Sequence, residues 1–418
     1  MMQPITHVVG AGLAGLSAAL RLTQAGHRVV IYEAGPQAGG RCRSYFDEPL
    51  GCRIDNGNHL LMSGNDAAMS YLKLIGAEDT LEGPAGARYP FVDLETGERW
   101  SLAPNRGKLP WWVLVPGRRV PGSRALDYLA GLRFRKCGPD ATVADLVGQD
   151  ARLYRRFWEP LAVAALNTEA KTAAAHLLWP VLEETFARGA EFSRPLVARD
   201  GLSESFVDPA LAWLAQRAGT LRLSTRVRKI GFHGNRAVSL DLGGEVVGLD
   251  QGDNLVLAVP PAIATTLVPH LVAPTEYRPI VNAHFRLDAR DSVAGVQILG
   301  VIGGTAEWIF RRGTLASVTI SAASHVVDEE AEALALRIWR DVAAGLGLGD
   351  RPLPAWRIVK EKRATFAETP EQVKRRPEAR TFWRNLALAG DWTDTGLPAT
   401  IEGAIRSGET AAALLRSA

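Results

Sequence analysis

The hydrophobic pattern of the first 33 residues predicts a strand, a glycine turn, a helix and a second strand. Residues 5–9 form a short apolar run of the kind found in buried strands, and it leads directly into the turn at residues 10–15. Leucines then recur at helical spacing up to Gly26, where a helix would end. A second apolar run covers residues 28–32, and Glu33 follows it at once. The order of these elements is typical of a dinucleotide-binding unit.

The rest of the chain mixes helical and strand periods. The alternating pattern of residues 280–320 predicts an antiparallel sheet. The C-terminal end repeats the opening order, with a strand at 385–389, a turn at 390–391 and a helix at 399–415. Further helices are predicted at residues 65–75, 123–135, 150–158, 169–187, 209–218 and 329–346. Further strands are predicted at residues 91–95, 99–102, 221–232, 237–242 and 254–259.

Composition excludes several classes of protein. The chain has 418 residues, 47% hydrophobic and 22% charged, with a net charge of +3, so we expect a globular protein with no nucleic-acid partner. Its 3 cysteines form no CxxC motif, which predicts neither a disulfide framework nor a metal site. No signal peptide can be placed before the first strand, and no run of 18 apolar residues is present. We therefore expect a cytoplasmic protein.

The glycine turn has the composition that a phosphate-binding turn needs. Gly10 allows the tight turn, Gly12 lets the backbone approach a pyrophosphate, and Gly15 lets the helix pack on the strand. Glu33 would accept hydrogen bonds from the ribose hydroxyls of an adenosine. The turn Gly39-Gly40-Arg41 would bring a guanidinium back to the same pyrophosphate, an element that an NAD-binding unit does not need.

Residues 10–41, GAGLAGLSAALRLTQAGHRVVIYEAGPQAGGR, resemble the opening of the FAD-dependent amine oxidase and phytoene desaturase superfamily. The segments Thr225-Arg226-Val227, Leu388-Ala389-Gly390-Asp391 and Thr400-Ile401-Glu402-Gly403-Ala404 resemble its later FAD-contacting motifs. The resemblance implies non-covalent FAD, since no cysteine lies near Gly390. It implies contacts with FAD from Gly10, Gly12, Leu13, Ala14, Gly15, Glu33, Ala34, Gly40, Arg41, Gly57, Asn58, Val227, Gly390, Asp391, Thr400, Ile401 and Ala404.

Two further segments restrict the resemblance to one family within this superfamily. Residues 54–61, IDNGNHLL, and residues 389–402, AGDWTDTGLPATIE, are similar to signatures of the hydroxysqualene dehydroxylase family, which makes squalene for hopanoids. Asn58 departs from that family, in which Gln is usual. The resemblance implies an FAD-dependent oxidoreductase that removes the allylic hydroxyl of hydroxysqualene, a long isoprenoid, with an external electron donor. The alternatives are an amine oxidase, a carotenoid desaturase, or a non-catalytic flavin-containing protein that binds prenyl lipids.

The implied fold is α/β, with a Rossmann-like FAD-binding domain interleaved with an α+β substrate-binding domain that contains an antiparallel sheet. We expect the FAD-binding domain to comprise residues 1–63, 200–265 and 380–418. The substrate-binding domain would comprise residues 64–199 and 266–379.

Asp55 and His59 are the candidate catalytic residues, because the resemblance places their segment beside the flavin. A histidine can transfer a proton near neutral pH, and a neighbouring carboxylate would raise its pKa. The alternative is structural, with Asp55 capping a turn and His59 buried. Trp179 and Trp392 are candidate contacts for the isoprenoid, since aromatic faces tolerate a developing cation; ordinary core positions are the alternative.

Residues 108–119, KLPWWVLVPGRR, are apolar and aromatic with basic flanks. The segment is too short to span a bilayer but suits a patch in the headgroup zone, which would give peripheral contact with the cytoplasmic face of the inner membrane. The alternative is a buried element of the substrate-binding domain. A second basic run, residues 374–376, is expected to form a solvated surface.

Overall fold

The computed structural model describes residues 4–149 and 153–416, which contain a five-stranded sheet, a seven-stranded sheet and three smaller sheets of two or three strands. The strands are β1 (Ile5–Val9), β2 (Arg28–Tyr32), β3 (Ser44–Asp47), β4 (Cys52–Asp55), β5 (Leu61–Met62), β6 (Leu81–Glu82), β7 (Tyr89–Asp93), β8 (Arg99–Leu102), β9 (Pro195–Ala198), β10 (Thr220–Arg222), β11 (Lys229–His233), β12 (Arg236–Asp241), β13 (Val246–Gly248), β14 (Asn254–Leu257), β15 (Tyr277–Arg286), β16 (Val293–Ile302), β17 (Trp308–Gly313), β18 (Leu315–Ile320), β19 (Trp356–Phe366) and β20 (Leu386–Leu388).

The α-helices are α1 (Leu13–Gln24), α2 (Asp66–Ile75), α3 (Val143–Val147), α4 (Glu159–Leu166), α5 (Leu178–Glu184), α6 (Asp208–Ala215), α7 (Pro261–Leu267), α8 (Ala331–Leu346), α9 (Pro370–Val373) and α10 (Ile401–Arg416). Longer segments of 3₁₀- or π-helix lie at Trp111–Leu114, Ala125–Lys136, Tyr154–Trp158 and Ser203–Val207.

A five-stranded parallel sheet carries the glycine turn at its carboxyl edge. Its strand order is β10-β2-β1-β14-β20, and every neighbouring pair is parallel. Val9 lies opposite Tyr32 and Leu257, so the turn after β1, the acid after β2 and the chain after β14 meet at one edge. Ligands of open α/β sheets bind at this carboxyl edge.

The helices on one face of the parallel sheet come from both ends of the chain. α1 packs along α10, and their shared core includes α2 through Tyr71 and Leu72, each at most 2% exposed. The sequence assigned α2 to the substrate-binding domain, and the predicted boundary at residue 63, which stays a prediction, separates α2 from the two helices on which it packs. Glu402 accounts for the difference: its carboxylate accepts hydrogen bonds from the backbone N–H groups of Ala67 and Ala68 at 3.0 and 2.8 Å, which ties the start of α2 to α10.

The second sheet has seven strands in the order β19-β15-β18-β17-β16-β7-β8 and is antiparallel except where β16 meets β7. This confirms the antiparallel sheet predicted from residues 280–320, and with the parallel sheet it confirms the predicted fold class. One face is covered by α8, which packs Ile338 and Trp339 against Phe285 and Val318. The opposite face is directed toward the segment that contains Asp55 and His59.

A cluster of helices and turns covers residues 111–149 and 153–188, where two sequence predictions are wrong. The predicted helix 123–135 is a 3₁₀ segment in which Gly131 is pressed so closely on the ring of Trp158 that a Cβ would lie 2.8 Å from it. The predicted helix 169–187 is broken, because the N–H of Ala174 donates to the carbonyl of Glu368 instead of to a preceding turn. Residues 150–152 of the predicted helix 150–158 lie outside the described residues.

Candidate active site

The glycine turn is shaped by close backbone contacts on one side and open space on the other. A Cβ at Gly10, where φ is +106°, would lie 2.4 Å from the carbonyl oxygen of Ala258, and one at Gly15 would lie 2.0 Å from that of Gly10. A Cβ at Gly12, by contrast, would have no atom within 4 Å. Gly12 precedes α1 and no side chain caps the helix, so the first N–H groups of α1 face this open space. The arrangement fits a bound pyrophosphate.

Glu33 sits where an adenosine ribose would be held. Its two carboxylate oxygens accept hydrogen bonds from the backbone N–H groups of Ala11 (2.9 Å) and Gly35 (2.8 Å), and each oxygen keeps a further lone pair. The loop after β10 returns to the same place, since the N–H of Thr225 donates to the carbonyl of Glu33 at 2.8 Å. Val227, two residues after Thr225, is buried and follows β10 in a loop instead of lying on the predicted strand; its contact with FAD stays a prediction.

An ion pair joins the first glycine-rich region to the last. Arg41 contacts the carboxylate of Asp391 at 2.7 Å, across 350 residues of chain, and also donates to the carbonyl of Ala364. The turn that carries Arg41 lies against the glycine turn, because the N–H of Gly39 donates to the carbonyl of Ala11 at 2.8 Å. Three of the predicted FAD-binding segments therefore converge.

Buried Arg376 donates hydrogen bonds to the loop between β20 and α10. Its guanidinium donates to the carbonyls of Asp391 (3.1 Å), Thr393 (2.5 Å) and Leu397 (2.8 Å), and the residue is 7% exposed. The sequence prediction that residues 374–376 form a solvated surface is therefore wrong for Arg376. α10 begins directly after this loop, with the Thr400 hydroxyl accepting the N–H of Gly403 at 3.1 Å.

Glu368 contacts the same loop, and it was not among the site residues predicted from the sequence. One of its carboxylate oxygens accepts the N–H of Ala399 at 2.5 Å, and its side chain is fully buried. Burial raises the pKa of Glu368 to about 8, so the carboxyl is largely neutral at neutral pH and adds little negative charge beside Asp391.

Asp55 lies at the end of β4, and three residues other than His59 contact its carboxylate. One of its carboxylate oxygens accepts the Ser44 hydroxyl at 2.6 Å and the N–H of Leu202 at 2.9 Å, and the other pairs with Arg312 at 3.0 Å. These contacts tie β3, β17 and the start of the π-helix before α6 to one buried carboxylate. They give Asp55 a part in holding the fold, while its catalytic role stays a prediction; the sequence offered no signal for Arg312, which is 257 residues away.

His59 lies near Asp55, but its electrostatics differ from the prediction. Burial lowers the pKa of His59 to about 4, and the attraction of Asp55 offsets this only in part. The expectation that Asp55 keeps His59 protonated at neutral pH is therefore wrong. A cavity of about 20 Å³, room for about one water molecule, opens beside the ring. Its apolar wall is formed by Val197, Leu202 and Phe310.

The sheet face opposite His59 changes from apolar to polar along its central strands. β15 and β18 place Asn282 opposite Thr319 and His284 opposite Ser317, and all four side chains are at most 8% exposed. The two pairs are hydrogen-bonded at 3.0 and 2.8 Å. The strand alternation assigns these residues to one face, which is a signal that the sequence carries.

The same face is aromatic beyond Thr319. Trp308 lies opposite Thr319, and its ring contacts the edge of Phe91 at 5.3 Å between centroids. Phe91 also stacks on Trp100 at 5.6 Å, over Gly300, where a Cβ would lie 2.3 Å from the Phe91 ring. None of these aromatic residues was among the predicted substrate contacts.

The two predicted substrate tryptophans lie apart. Trp392 is 2% exposed in the core behind the parallel sheet, where its indole N–H donates to the carbonyl of Val259 at 2.9 Å. It packs so closely on Gly390 that a Cβ there would lie 2.3 Å from the indole nitrogen. The prediction that Trp392 contacts the substrate is therefore wrong. Trp179 is partly buried against the helical cluster, and its contact with substrate stays a prediction.

A comparison with known protein families agrees with this geometry. The family model described as flavin containing amine oxidoreductase matches residues 13–416. The chain belongs to this family. FAD is its cofactor, as the glycine turn and the C-terminal motif predicted.

Curated relatives lie within the same family at high identity. Hydroxysqualene dehydroxylase of Zymomonas mobilis is 46% identical over 99% of the chain and 99% of its own length. That of Rhodopseudomonas palustris is 47% identical over 100% of the chain and 99% of its own length. Among solved structures, a putative protoporphyrinogen oxidase from Exiguobacterium superposes with a TM-score of 0.71 at 15% identity, covering 100% of this chain and 99% of that one, which shows a shared fold.

The open space in front of α1 generates a prediction for cofactor binding. Gly12 has φ −75° and ψ 175°, which valine also adopts, so Gly12→Val should fold but place its side chain where the pyrophosphate would lie. We expect mostly apoprotein, measured as flavin absorbance per protein, whereas the wild type should release FAD, not FMN, on denaturation. Gly117→Val, at another position with no atom near a Cβ, is the control. Full flavin retention by Gly12→Val would contradict the phosphate role.

Proposed function

We propose that this protein removes the allylic hydroxyl group of hydroxysqualene reductively and releases squalene and water. The observation that carries the proposal is the 46–47% identity, over nearly the whole chain, to proteins named hydroxysqualene dehydroxylase. The site supports it, because an apolar, aromatic sheet face suits a hydrocarbon chain and a small polar region beside His59 suits one hydroxyl group.

FAD would be held by the converging glycine-rich segments. The first N–H groups of α1 would face the pyrophosphate, Glu33 the ribose and Arg41 the phosphates, while Asp391 would contact the ribityl chain and the start of α10 the pyrimidine edge. When bound in its reduced form, FAD supplies the hydride that the reaction needs, and an external donor restores it. The remaining predicted contacts, Ala34, Gly40, Gly57, Asn58 and Val227, belong to the same proposal.

The hydrocarbon part of the substrate would lie along the aromatic face of the antiparallel sheet. Phe91, Trp308 and Phe310 provide contiguous apolar surface there, and each buried methylene contributes about 0.8 kcal/mol. Aromatic faces also stabilise the allylic cation that forms when the hydroxyl leaves.

His59 is the proposed proton donor for the leaving hydroxyl. Its proton would move to the hydroxyl oxygen, the carbon–oxygen bond would break with its electron pair on oxygen, and water would leave. Because the pKa of His59 is about 4, the ring is a strong acid when protonated, but only about one molecule in a thousand carries that proton at pH 7. Asp55 would act as a positioning residue that fixes β4 and the turn before His59.

An anaerobic experiment tests the function. The holoenzyme, reduced with dithionite, should be reoxidised by hydroxysqualene with one squalene formed per flavin, measured by flavin absorbance and gas chromatography. An amine oxidase or a carotenoid desaturase would instead have its oxidised flavin reduced by its substrate. Absence of both reoxidation and squalene would contradict the proposal, and a flavin-containing binding protein would give that result.

The lowered pKa of His59 predicts the pH dependence of the reaction. If protonated His59 is the donor, the single-turnover rate should fall about tenfold for each pH unit above 5, because the protonated fraction falls by that factor above a pKa of about 4. His59→Ala should keep FAD but lose most of the rate and this slope. His325→Ala, a histidine on the other side of the antiparallel sheet, serves as the control. A flat profile in the wild type would mean that the neutral ring, or another group, assists the leaving group.

Membrane contact is a further part of the proposal. No helix among the described residues is long and apolar enough to cross a membrane. Residues 109–132 nevertheless expose an apolar patch, defined here as Leu109, Trp111, Leu114, Val115, Leu126, Leu129 and Leu132, each 38–80% exposed. Trp112 is 6% exposed and packs its ring on Tyr128 at 5.3 Å, which joins the two halves of the patch. The sequence left open whether this segment is a surface patch or a buried element. Trp111 lies on the surface and Trp112 lies in the core, so the two neighbouring residues differ in this respect.

Charge around the patch favours an anionic lipid surface. Residues 108–136 contain seven basic residues and one acidic residue, Asp127. The basic residues are Lys108, Arg118, Arg119, Arg124, Arg133, Arg135 and Lys136. Apolar side chains ringed by basic groups suit the headgroup zone, and a substrate taken directly from the bilayer avoids crossing water.

Vesicle flotation tests the patch. The holoenzyme should float with phosphatidylglycerol vesicles and less with phosphatidylcholine vesicles. The double variant Leu126→Ser/Leu129→Ser should lose most of this binding, because both side chains are more than half exposed and carry little of the core. Phe382→Ser, which removes a 75% exposed ring elsewhere, should bind like the wild type. Equal flotation of the double variant and the wild type would exclude the patch as the anchor.

A further inference from the structure

A cleft of about 380 Å³ opens at the edge of the antiparallel sheet, between β16, the segment before β7 and the C-terminal end of α8. Ile309 and Arg311 of β17 line this cleft, whereas their neighbours Phe310 and Arg312 line the cavity beside His59. Because successive side chains of a strand point to opposite faces, the cleft lies across the sheet from His59. It is therefore separate from the proposed reaction centre, and none of the described residues that line it is a predicted FAD contact.

The cleft exists because β16 extends beyond its partner β7. The two strands pair only over residues 300–302 of β16, and no described strand pairs with residues 293–299 on that side. Pro90, which the register places next in the ladder, has no N–H with which to extend it. The N–H of Val301 donates on the β17 side at 2.8 Å, so by alternation the N–H of Ile298 faces the cleft. The cleft thus has a free backbone donor in its wall.

Three arginines line the cleft from three different segments, and the described residues around it include no acidic side chain. Arg88 directly precedes β7, is exposed, and has no hydrogen-bond or ion-pair partner within the described part of the chain. Arg99, on β8, donates to the carbonyl of Gly345 at the end of α8 at 2.7 Å. A helix C-terminus carries only a partial negative charge, so this contact positions Arg99 without neutralising it.

The third arginine, Arg311, is also held by neutral acceptors. It donates to Gln297 Oε1 at 3.2 Å and to the backbone carbonyl of Asp291 at 2.5 Å, and its Nε–H is buried without a partner. Burial lowers the pKa of Arg311, and the attraction of the Asp291 carboxylate, which pairs with Arg351, offsets this only in part. A half-buried guanidinium without a carboxylate of its own is stabilised when an anion binds beside it.

We propose that this cleft binds the phosphate group of an amphiphile, with the phosphate on Arg88, Arg99 and Arg311 and the apolar part of the ligand against the rest of the wall. Guanidinium groups match phosphate oxygens in a bidentate manner, and the N–H of Ile298 adds a backbone donor. A phosphate monoester carries about 1.5 to 2 negative charges at pH 7, which suits several cations better than one carboxylate does.

The wall of the cleft and its size indicate that the ligand has an apolar part. Seven of the lining residues are apolar, and Leu299, Ile309 and Leu346 are among them. A volume of about 380 Å³ lies at the lower end of the range for small-molecule sites. Two sources supply this chemistry, a prenyl diphosphate and an anionic phospholipid. The proposal is independent of the reaction proposed above, since it involves neither the flavin nor His59.

Calorimetric titration of the oxidised holoenzyme tests the cleft. Farnesyl diphosphate should bind at one site, and inorganic pyrophosphate should bind more weakly because it has no apolar part. Arg88→Gln should weaken the binding of farnesyl diphosphate about tenfold, and Arg88→Gln/Arg311→Gln at least a hundredfold, because each charged hydrogen-bond donor contributes about a factor of ten or more. Arg28→Gln, which removes an exposed arginine on β2, is the control and should bind like the wild type.

Farnesol separates this cleft from the proposed reaction centre. A prenyl chain bound on the aromatic face of the sheet needs no diphosphate, so farnesol should bind equally in all variants. Short-chain dioctanoyl phosphatidic acid, used below its micelle concentration, distinguishes the two sources. Tighter binding of farnesyl diphosphate assigns the site to prenyl diphosphates, and tighter binding of phosphatidic acid assigns it to phospholipids.

Three results would overturn the proposal. They are equal affinity of the wild type and the double variant for farnesyl diphosphate, equal affinity of the wild type for farnesyl diphosphate and pyrophosphate, and binding of neither amphiphile by the wild type. Arg88→Gln decides the matter alone if the double variant fails to fold, because Arg88 is exposed and has no partner to lose among the described residues. Since the flavin stays oxidised, these results do not depend on whether hydroxysqualene is the substrate.

Discussion

The close approach of α1 and α10 is the constraint on which the rest of the structure depends. A Cβ at Gly408 would lie 2.2 Å from the carbonyl oxygen of Ala14, so the two helices meet backbone to backbone. The Ser17 hydroxyl donates to the carbonyl of Ile405 at 2.9 Å and fixes their relative position along the axis. This contact sets where the loop before α10 lies, and therefore where Asp391 meets Arg41. Helix packing therefore sets the relative positions of the segments that form the cofactor site, and the ion pair forms between groups that this packing has brought together.

Some buried polar groups at the proposed reaction centre are charged and others are neutral, depending on whether each has a partner of opposite charge. Asp55 and Arg312 remain an ion pair because each has a partner, as a buried charge requires. His59 and His284 lack such partners, and burial lowers the pKa of each to about 4, so both rings are neutral at neutral pH. Beside one internally paired Asp55–Arg312 unit, the two histidine rings therefore act as dipoles instead of charges, which suits an uncharged alcohol.

The sequence predicted the local elements well because their signals are local. The bounds of β1 and β2 agree with the apolar runs, and α10 begins two residues after its predicted start. Each of these elements is specified by neighbours within a few residues. The same holds for the glycine turn, whose requirements are set by the strand before it and the helix after it.

The site was only partly predictable, because its decisive contacts join distant segments. Asp55 pairs with Arg312 on β17, and Glu368 accepts a hydrogen bond from the N–H of Ala399 before α10. Neither contact can be predicted from the hydrophobic and polar pattern around either residue. The alternation of β15 and β18 places Asn282 and Thr319 on one face, but only the register between the strands sets them opposite one another. The resemblance placed the segment of His59 beside the flavin, which stays a prediction, and the protonation of His59 depends on burial that no short segment reveals.

The ion pair between Arg41 and Asp391 has a consequence for how the protein matures. During synthesis Arg41 leaves the ribosome long before Asp391, which is 350 residues behind it, and α10 emerges later still. Until then the nascent chain holds a glycine turn without the loop and helix that complete it. The complete cofactor site can therefore form only after α10 has left the ribosome, and a chain whose synthesis stops before Asp391 would lack the partner of Arg41 and leave uncovered the face of α1 that packs on α10.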